Sequence, residues 1–204
     1  MKTTEVNDDM LVIDTGSSIP ETKEQNLEPL TIYTDKHPML SAKVPEYQLP
    51  IPNVSMTNLV QRLKLTMKKY AGMGLSANQC AIMERVFVIG TDQFQIACIN
   101  PKVTAVSEDL KKEREGCLSY PALYLTIARP TWVEVEFYLE TGEFKQMRLD
   151  GLTARCFLHE LDHLNGIRMV QHVGKLSAQM AEKRALKMIK KITRIQKNAN
   201  GIFV

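Results

Sequence analysis

The run His159-Glu160-Leu161-Asp162-His163 places two imidazoles four residues apart. On a helix that is about one turn, so both rings project from the same side. Two nitrogen ligands on one helix face, with a carboxylate beside the first, make a hydrolytic metal site. The ion lowers the pKa of water toward ~7; Glu160 takes the proton and returns it to a departing amine. Two histidines leave a tetrahedral ion short of ligands. A catalytic site draws a third from the protein and keeps the fourth position for water or substrate. Cys117, His37, His172 or an acid could supply it. Cys117 is favoured, because Gly116 and Ser119 flank it with small residues that permit close approach.

Two further segments carry chemistry. Glu115-Gly116-Cys117-Leu118-Ser119 surrounds the thiol. Gly72-Met73-Gly74-Leu75-Ser76-Ala77-Asn78-Gln79 has glycines that let backbone approach a ligand closely. A tetrahedral intermediate needs donors at its oxyanion, and the Gln79 amide is one such group. Read alone, Gln79 is an ordinary surface polar residue.

Taken in chain order (72–79, 115–119, 159–163) within 204 residues, the three segments resemble the signature motifs of the peptide deformylases. The resemblance runs from about Leu30 to at least Gly166. It implies a metal held by Cys117, His159 and His163, with Glu160 as general base and acid. It implies an oxyanion site built from Gln79 and the backbone N–H of Leu118. Gly72, Met73 and Gly74 would line a cleft and pair with a peptide like a strand. Glu115 and Gly116 would lie beside the substrate, and Leu152, Arg155 and Cys156 would wall a methionine pocket. Arg155 could turn its head away and use its stem as wall.

The implied reaction is hydrolysis of the N-formyl group from the formyl-methionine of newly made polypeptides, releasing formate. The implied cofactor is one divalent ion, Fe2+ in the cell, replaced by Zn2+, Ni2+ or Co2+ when isolated; the ligand set alone does not choose among them. Two departures from the family pattern stand out. Ser76 occupies a position where alanine is commonest, and little effect is expected from so small a change. Tyr124 stands where many bacterial members carry an arginine that helps hold the peptide backbone, so peptide affinity or side-chain preference is expected to differ. Asp162 is expected to orient a ligand histidine or to pair with Arg129.

Two rival readings fit less well. An ordinary HExxH endopeptidase needs a third His or Glu further along the chain, whereas Cys117 lies upstream. A non-enzymatic ribosome-binding module would have no use for the catalytic side chains, all of which are present.

Positioning these groups requires a helix over the motif and strands beside it. Met56, Val60, Leu63, Met67 and Tyr70 recur at helical spacing, with Ser55 or Thr57 as caps and Gly72 and Gly74 as the stop. Strand-like runs follow at 85–89, 95–99, 123–128, 132–139 and 143–149. Asp150 to Leu164 reads as the motif helix, with Leu152, Cys156, Leu161 and Leu164 on its apolar side and Asn165-Gly166 as its end. Ser177 to about Lys197 reads as a last helix, with Ala181, Ala185, Met188, Ile192 and Ile195 as a buried stripe. The fold class expected is α+β: mostly antiparallel β-sheets packed around a central metal-binding helix, with a C-terminal helix.

Composition agrees with one globular domain, at 44% hydrophobic and 24% charged. The expected division is a polar acidic extension over 1–29 and a single catalytic domain over 30–204, its basic helix at 177–197. The extension holds seven acids against Lys2 and Lys23, and residues 177–204 hold seven bases against Glu182. That basic run reads first as a solvated face whose late bases suit the helix dipole; the alternative, raised by the resemblance, is contact with ribosomal RNA, with the formyl-Met nascent peptide as the implied substrate. No apolar run approaches the roughly 18 residues that span a bilayer. No signal pattern opens the chain, and Cys80, Cys98, Cys117 and Cys156 have no framework spacing. A cytoplasmic monomer is expected.

Overall fold

The computed structural model describes residues 27–200 except 35, 49 and 92, with side chains to residue 196. The acidic extension therefore lies outside the described residues but for its last three. There Arg62 Nε donates to the Glu28 carbonyl at 3.0 Å, and Leu30 is buried against the first helix.

That helix, α1 (Val54–Lys69), buries Met56, Val60, Leu63 and Met67 at helical spacing. Its cap is Asn53, whose side chain accepts from the Met56 N–H at 2.9 Å, rather than Ser55 or Thr57. The helix stops before the glycines expected to end it. Ala71 takes a left-handed φ of 51°, and Gly72 N–H donates to Met67 O at 2.9 Å.

Seven strands follow: β1 (Gly74–Ser76), β2 (Val86–Gly90), β3 (Gln95–Val106), β4 (Leu110–Cys117), β5 (Tyr120–Pro130), β6 (Trp132–Tyr138) and β7 (Phe144–Asp150). Five form an antiparallel sheet in the order β1-β2-β3-β6-β7, and β4 pairs with β5 in a separate hairpin. The sequence pattern shows neither β1 nor β4. β1 is three residues long and starts on a glycine. β4 reads Leu-Lys-Lys-Glu-Arg-Glu-Gly-Cys, with Glu115 its one buried residue, so no apolar alternation marks it.

Helix α2 (Gly151–Leu164) lies against the five-stranded sheet, where Phe157 meets Phe87 edge-on at 5.0 Å and Ala154 and Leu164 join Val133, Val135 and Phe137. The apolar part of its buried face is Ala154, Phe157 and Leu164; Leu152, expected there, is exposed and borders the cleft described below. Past the Asn165 cap the chain turns at Gly166, with φ 72°, where a Cβ would stand 2.8 Å from Ser41 O. Architecture and expectation agree: an α+β fold of antiparallel sheets around α2, closed by a C-terminal helix.

That helix, α3 (Lys175–Asn200), departs from the expected stripe. Ala181 and Ala185 are buried on β5 beside Leu125 and Ile127. Met188, Ile192 and Ile195, on the same helical face, are about half exposed. The period is unbroken, but burial beneath the helix stops after Ala185, about three turns in. Backbone amides beyond about residue 187 are therefore expected to exchange hydrogen through local fraying, well ahead of those around Ala181. Hydrogen-exchange mass spectrometry checks this; equal protection along the whole helix would contradict it.

Candidate active site

The buried face of α2 is not wholly apolar: it carries Arg155, Glu160 and His163. Buried polar and charged groups are costly unless paired, so their partners define the site. Cys117, at the end of β4, lies within reach of both helix histidines. One ligand atom from each of Cys117, His159 and His163 falls within 4.8 Å of the others, and Cys117 Sγ is 3.2 Å from His163 Nε2. His37 and His172 stand elsewhere: His37 stacks on Tyr33, and His172 Nε2 lies 2.7 Å from Asp162 Oδ2.

The three donors fit a metal ion. His159 Nδ1 is 3.1 Å from Glu115 Oε2, which turns Nε2 toward the Cys117 thiol, the side an ion would occupy. Burial, then the charges of His159 and Arg129, hold His163 well below the usual imidazole range, so it is neutral and offers a lone pair. Burial opposes protonation of His159, but its hydrogen bonds with Cys117 and Glu115 outweigh this and push it well up. One sulfur and two nitrogens suit a borderline transition metal, not Mg2+ or Ca2+.

Glu160 is 3% exposed, and burial pushes its carboxyl up from the ordinary range. The Ser76 hydroxyl reaches both Glu160 Oε2 at 2.7 Å and the Glu160 carbonyl at 2.9 Å. Ser76 thus bears directly on the carboxylate, which its small size did not suggest. Gly74 makes room: a Cβ there would run into the Glu160 carboxylate, with Cγ and Cδ only 2.8 Å away. Gly74→Ala is expected to displace Glu160 and to lower kcat by about 10²-fold, the usual cost of ~1 Å misplacement. An assay of the variant at saturating substrate checks this, and a kcat within threefold of wild type would contradict it.

Gln79 is 1% exposed, not on the surface. Its Oε1 accepts from Ser76 N–H at 2.9 Å, which fixes the amide orientation. Nε2 then donates to Ser119 Oγ at 3.1 Å and points at Cys117 Sγ, 3.5 Å away. Leu118 and Ser119 form the turn between β4 and β5, and the Leu118 side chain crowds Gly72, where a Cβ would stand 2.8 Å from Leu118 Cδ1. Asn78 Nδ2 donates to the His163 carbonyl at 2.6 Å, tying the glycine-rich segment to α2.

Glu115 organises the surroundings. Arg129 reaches it through Nε at 2.9 Å and Nη2 at 3.0 Å, and Arg155 Nη1 also contacts it. Burial alone would raise this carboxyl, but hydrogen bonds from His159 and Arg129 and the Arg129 charge hold it down to about 2. Both oxygens of Glu115 are therefore committed to protein cations. Asp162 pairs with Arg129 Nη1 at 2.7 Å and with His172, not with His159 or His163. The Arg155 head is buried, donating to Glu113, Ile127 O and Lys111 O, and its remainder borders the cleft.

The cleft over the triad has a volume of about 690 Å³. Gly72, Met73 and Gly74 line one side, Gly116 and Leu118 another, and Leu152, Arg155 and Cys156 a third. Cys156 Sγ donates to Met73 O at 3.1 Å, and burial pushes its thiol well up, so it stays uncharged. Sequence reasoning missed the two serine contacts, Asn78 and the anchoring use of Glu115. Each joins residues more than ten positions apart, and only the triplet spacing of Ser76 and Gln79 leaves a local sign, that of a capping box.

A family model described as polypeptide deformylase matches residues 29–179. A peptide deformylase of Synechococcus sp. (strain CC9605) is 37% identical over 171 residues, covering 81% of this chain and 80% of that protein. A peptide deformylase of Thermotoga neapolitana is 34% identical over 136 residues, covering 67% and 83%. Among solved structures, the Synechococcus elongatus peptide deformylase in complex with actinonin superposes with a TM-score of 0.72 at 32% identity, covering 80% of this chain and 89% of that one. The Legionella pneumophila peptide deformylase gives 0.74 at 28% identity, covering 81% and 98%. One sulfur and two nitrogens converging beside buried Glu160 suit the activation of water, the chemistry of a hydrolase. The chain belongs to the polypeptide deformylase family.

Proposed function

We propose that this protein hydrolyses the N-formyl group of the formyl-methionine that opens newly made polypeptides, releasing formate, and that it does so with a metal ion held by Cys117, His159 and His163. The convergence of those three donors beside buried Glu160 carries the reading. Bound there, a divalent ion would acidify water and polarise the formyl carbonyl. Glu160, kept from bulk solvent and held by Ser76, takes the proton of the attacking water and hands it to the departing amine. A carboxyl raised by burial suits both halves of that task. Gln79 Nε2 and the Leu118 N–H donate to the oxygen that gains charge. The glycines at 72 and 74 let a peptide backbone enter beside β1, while Met73, Leu152 and Cys156 offer an apolar wall to the methionine side chain.

Iron is the ion proposed in the cell, in the cytoplasm. No helix among the described residues is long and apolar enough to cross a membrane. The basic face of α3, with Lys183, Arg184, Lys187, Lys190, Lys191 and Arg194 exposed, fits contact with ribosomal RNA. Co-sedimentation with ribosomes that weakens steeply with salt would support that contact; binding indifferent to salt would count against it.

The deciding experiment is formate release from formyl-Met-Ala-Ser by anaerobically prepared protein, with and without a chelator. Turnover that the chelator abolishes and added Fe2+ restores is expected. Turnover that survives complete metal removal would overturn the metal-dependent reading.

A further inference from the structure

Besides His159, four of the described residues lining the cleft bear charged side chains: Arg114, Glu115, Arg155 and Glu160. The last three are buried, while Arg114 is exposed. The register of the β4–β5 hairpin explains its placement. Gly116 faces Tyr124 and Arg114 faces Thr126, so Arg114, Gly116 and Tyr124 share one face of the hairpin. Because Gly116 lacks a Cβ, the Tyr124 ring lies across it; a Cβ there would stand 2.7 Å from Tyr124 Cε1. The Arg114 guanidinium stacks 4.1 Å from the centre of that ring. Stacking fixes a cation without neutralising it. The nearby carboxylates are engaged elsewhere: Glu113 with Lys111 and Arg155, Glu115 with Arg129 and Arg155. None of the ion pairs among the described residues includes Arg114.

We propose that Arg114, held in place by Tyr124, makes the enzyme favour formylated chains with an acidic side chain at the third residue. The inference rests on the deformylase reading of the same cleft. Arg114 lies three residues before Cys117, about 10 Å along a strand. An extended peptide with its formyl group at the triad covers that distance by its third residue. The cleft presents no exposed carboxylate among its described lining residues to attract a basic side chain instead.

The test compares kcat/KM for formyl-Met-Ala-Asp-amide, its Asn and Lys counterparts, and the same three side chains at residue two. Amide ends remove the terminal carboxylate, which would otherwise compete for the arginine. Wild type is expected to prefer Asp over Lys at residue three by about fivefold, the scale of an exposed ion pair, and the preference should shrink at high salt. Arg114→Glu is expected to invert the ratio, and Tyr124→Leu to weaken it. Each ratio is internal to one protein, so a partly damaged variant still reports. A ratio unchanged by Arg114→Glu, or a preference confined to residue two, would overturn the proposal. Absent turnover on every peptide would overturn the deformylase reading instead. In that case the ratio of Kd values for Met-Ala-Asp-amide and Met-Ala-Lys-amide, measured by calorimetry, still decides the role of Arg114.

Discussion

Glu160→Gln is expected to lower kcat for formate release by about 10²–10⁴-fold, the range general acid–base catalysis contributes. Glutamine fills the same volume and can still accept from the Ser76 hydroxyl, so the floor of the cleft should keep its shape. What it loses is the ability to carry a proton. Glu160 is not one of the three clustered donors, so metal content should match wild type. The paired measurements are single-turnover formate release and metal by elemental analysis. A variant that keeps full metal and more than a tenth of the wild-type rate would falsify the role given to Glu160, and another proton carrier would have to be sought. Loss of the metal together with activity would point to a ligand or positioning role.

Glu115→Ala should be the most damaging substitution outside the cluster of Cys117, His159 and His163. It leaves the Arg129 and Arg155 guanidiniums, both about 5% exposed, without their shared carboxylate, and it frees the His159 ring. Removing one partner of a buried ion pair costs about 3–5 kcal/mol, because an uncompensated charge stays behind. Asp162 still pairs with Arg129, and Glu113 with Arg155, which puts the expectation at the lower end of that range. Metal affinity should also fall, by roughly 10–100-fold, the usual effect of losing the group that orients a ligand histidine. Denaturant unfolding of chelator-treated protein isolates the first effect, since a bound ion adds stability of its own. A loss below about 1 kcal/mol in that measurement would mean that the arginines find equivalent partners.

That His159 and His163 share one helix face was legible, because a four-residue spacing on a helix speaks for itself; that Cys117 comes within reach of both was not written in any spacing. The anchoring of His159 by Glu115 was not legible either, since it joins positions 115 and 159 through folding alone. The same holds for Arg155, whose head meets Glu113, Glu115 and two carbonyls on the hairpin. The stripe on α3 illustrates another limit. Periodicity tells which face of a helix is apolar, but not how far the body extends beneath it. Strand β4 illustrates a third: its inward residues are charged and satisfied by ion pairs, so a search for apolar alternation passes over it. Gln79 was underestimated for a related reason, because its burial depends on Ser76 and Ser119 closing around the amide.

Among the described residues strand β4 pairs only with β5, and five of its eight residues, Lys111 to Glu115, are charged. An unpaired strand edge is a template for any extended chain, including another copy of the same protein. Here the Lys111 carbonyl is already taken by Arg155 Nη2 at 2.7 Å, and the exposed Lys111, Lys112 and Arg114 would face their own kind in many self-pairings. The composition that hides the strand from a sequence reader therefore also discourages edge-to-edge aggregation. It leaves the Gly116 end, which carries no charge, as the part of that edge most open to a visiting peptide.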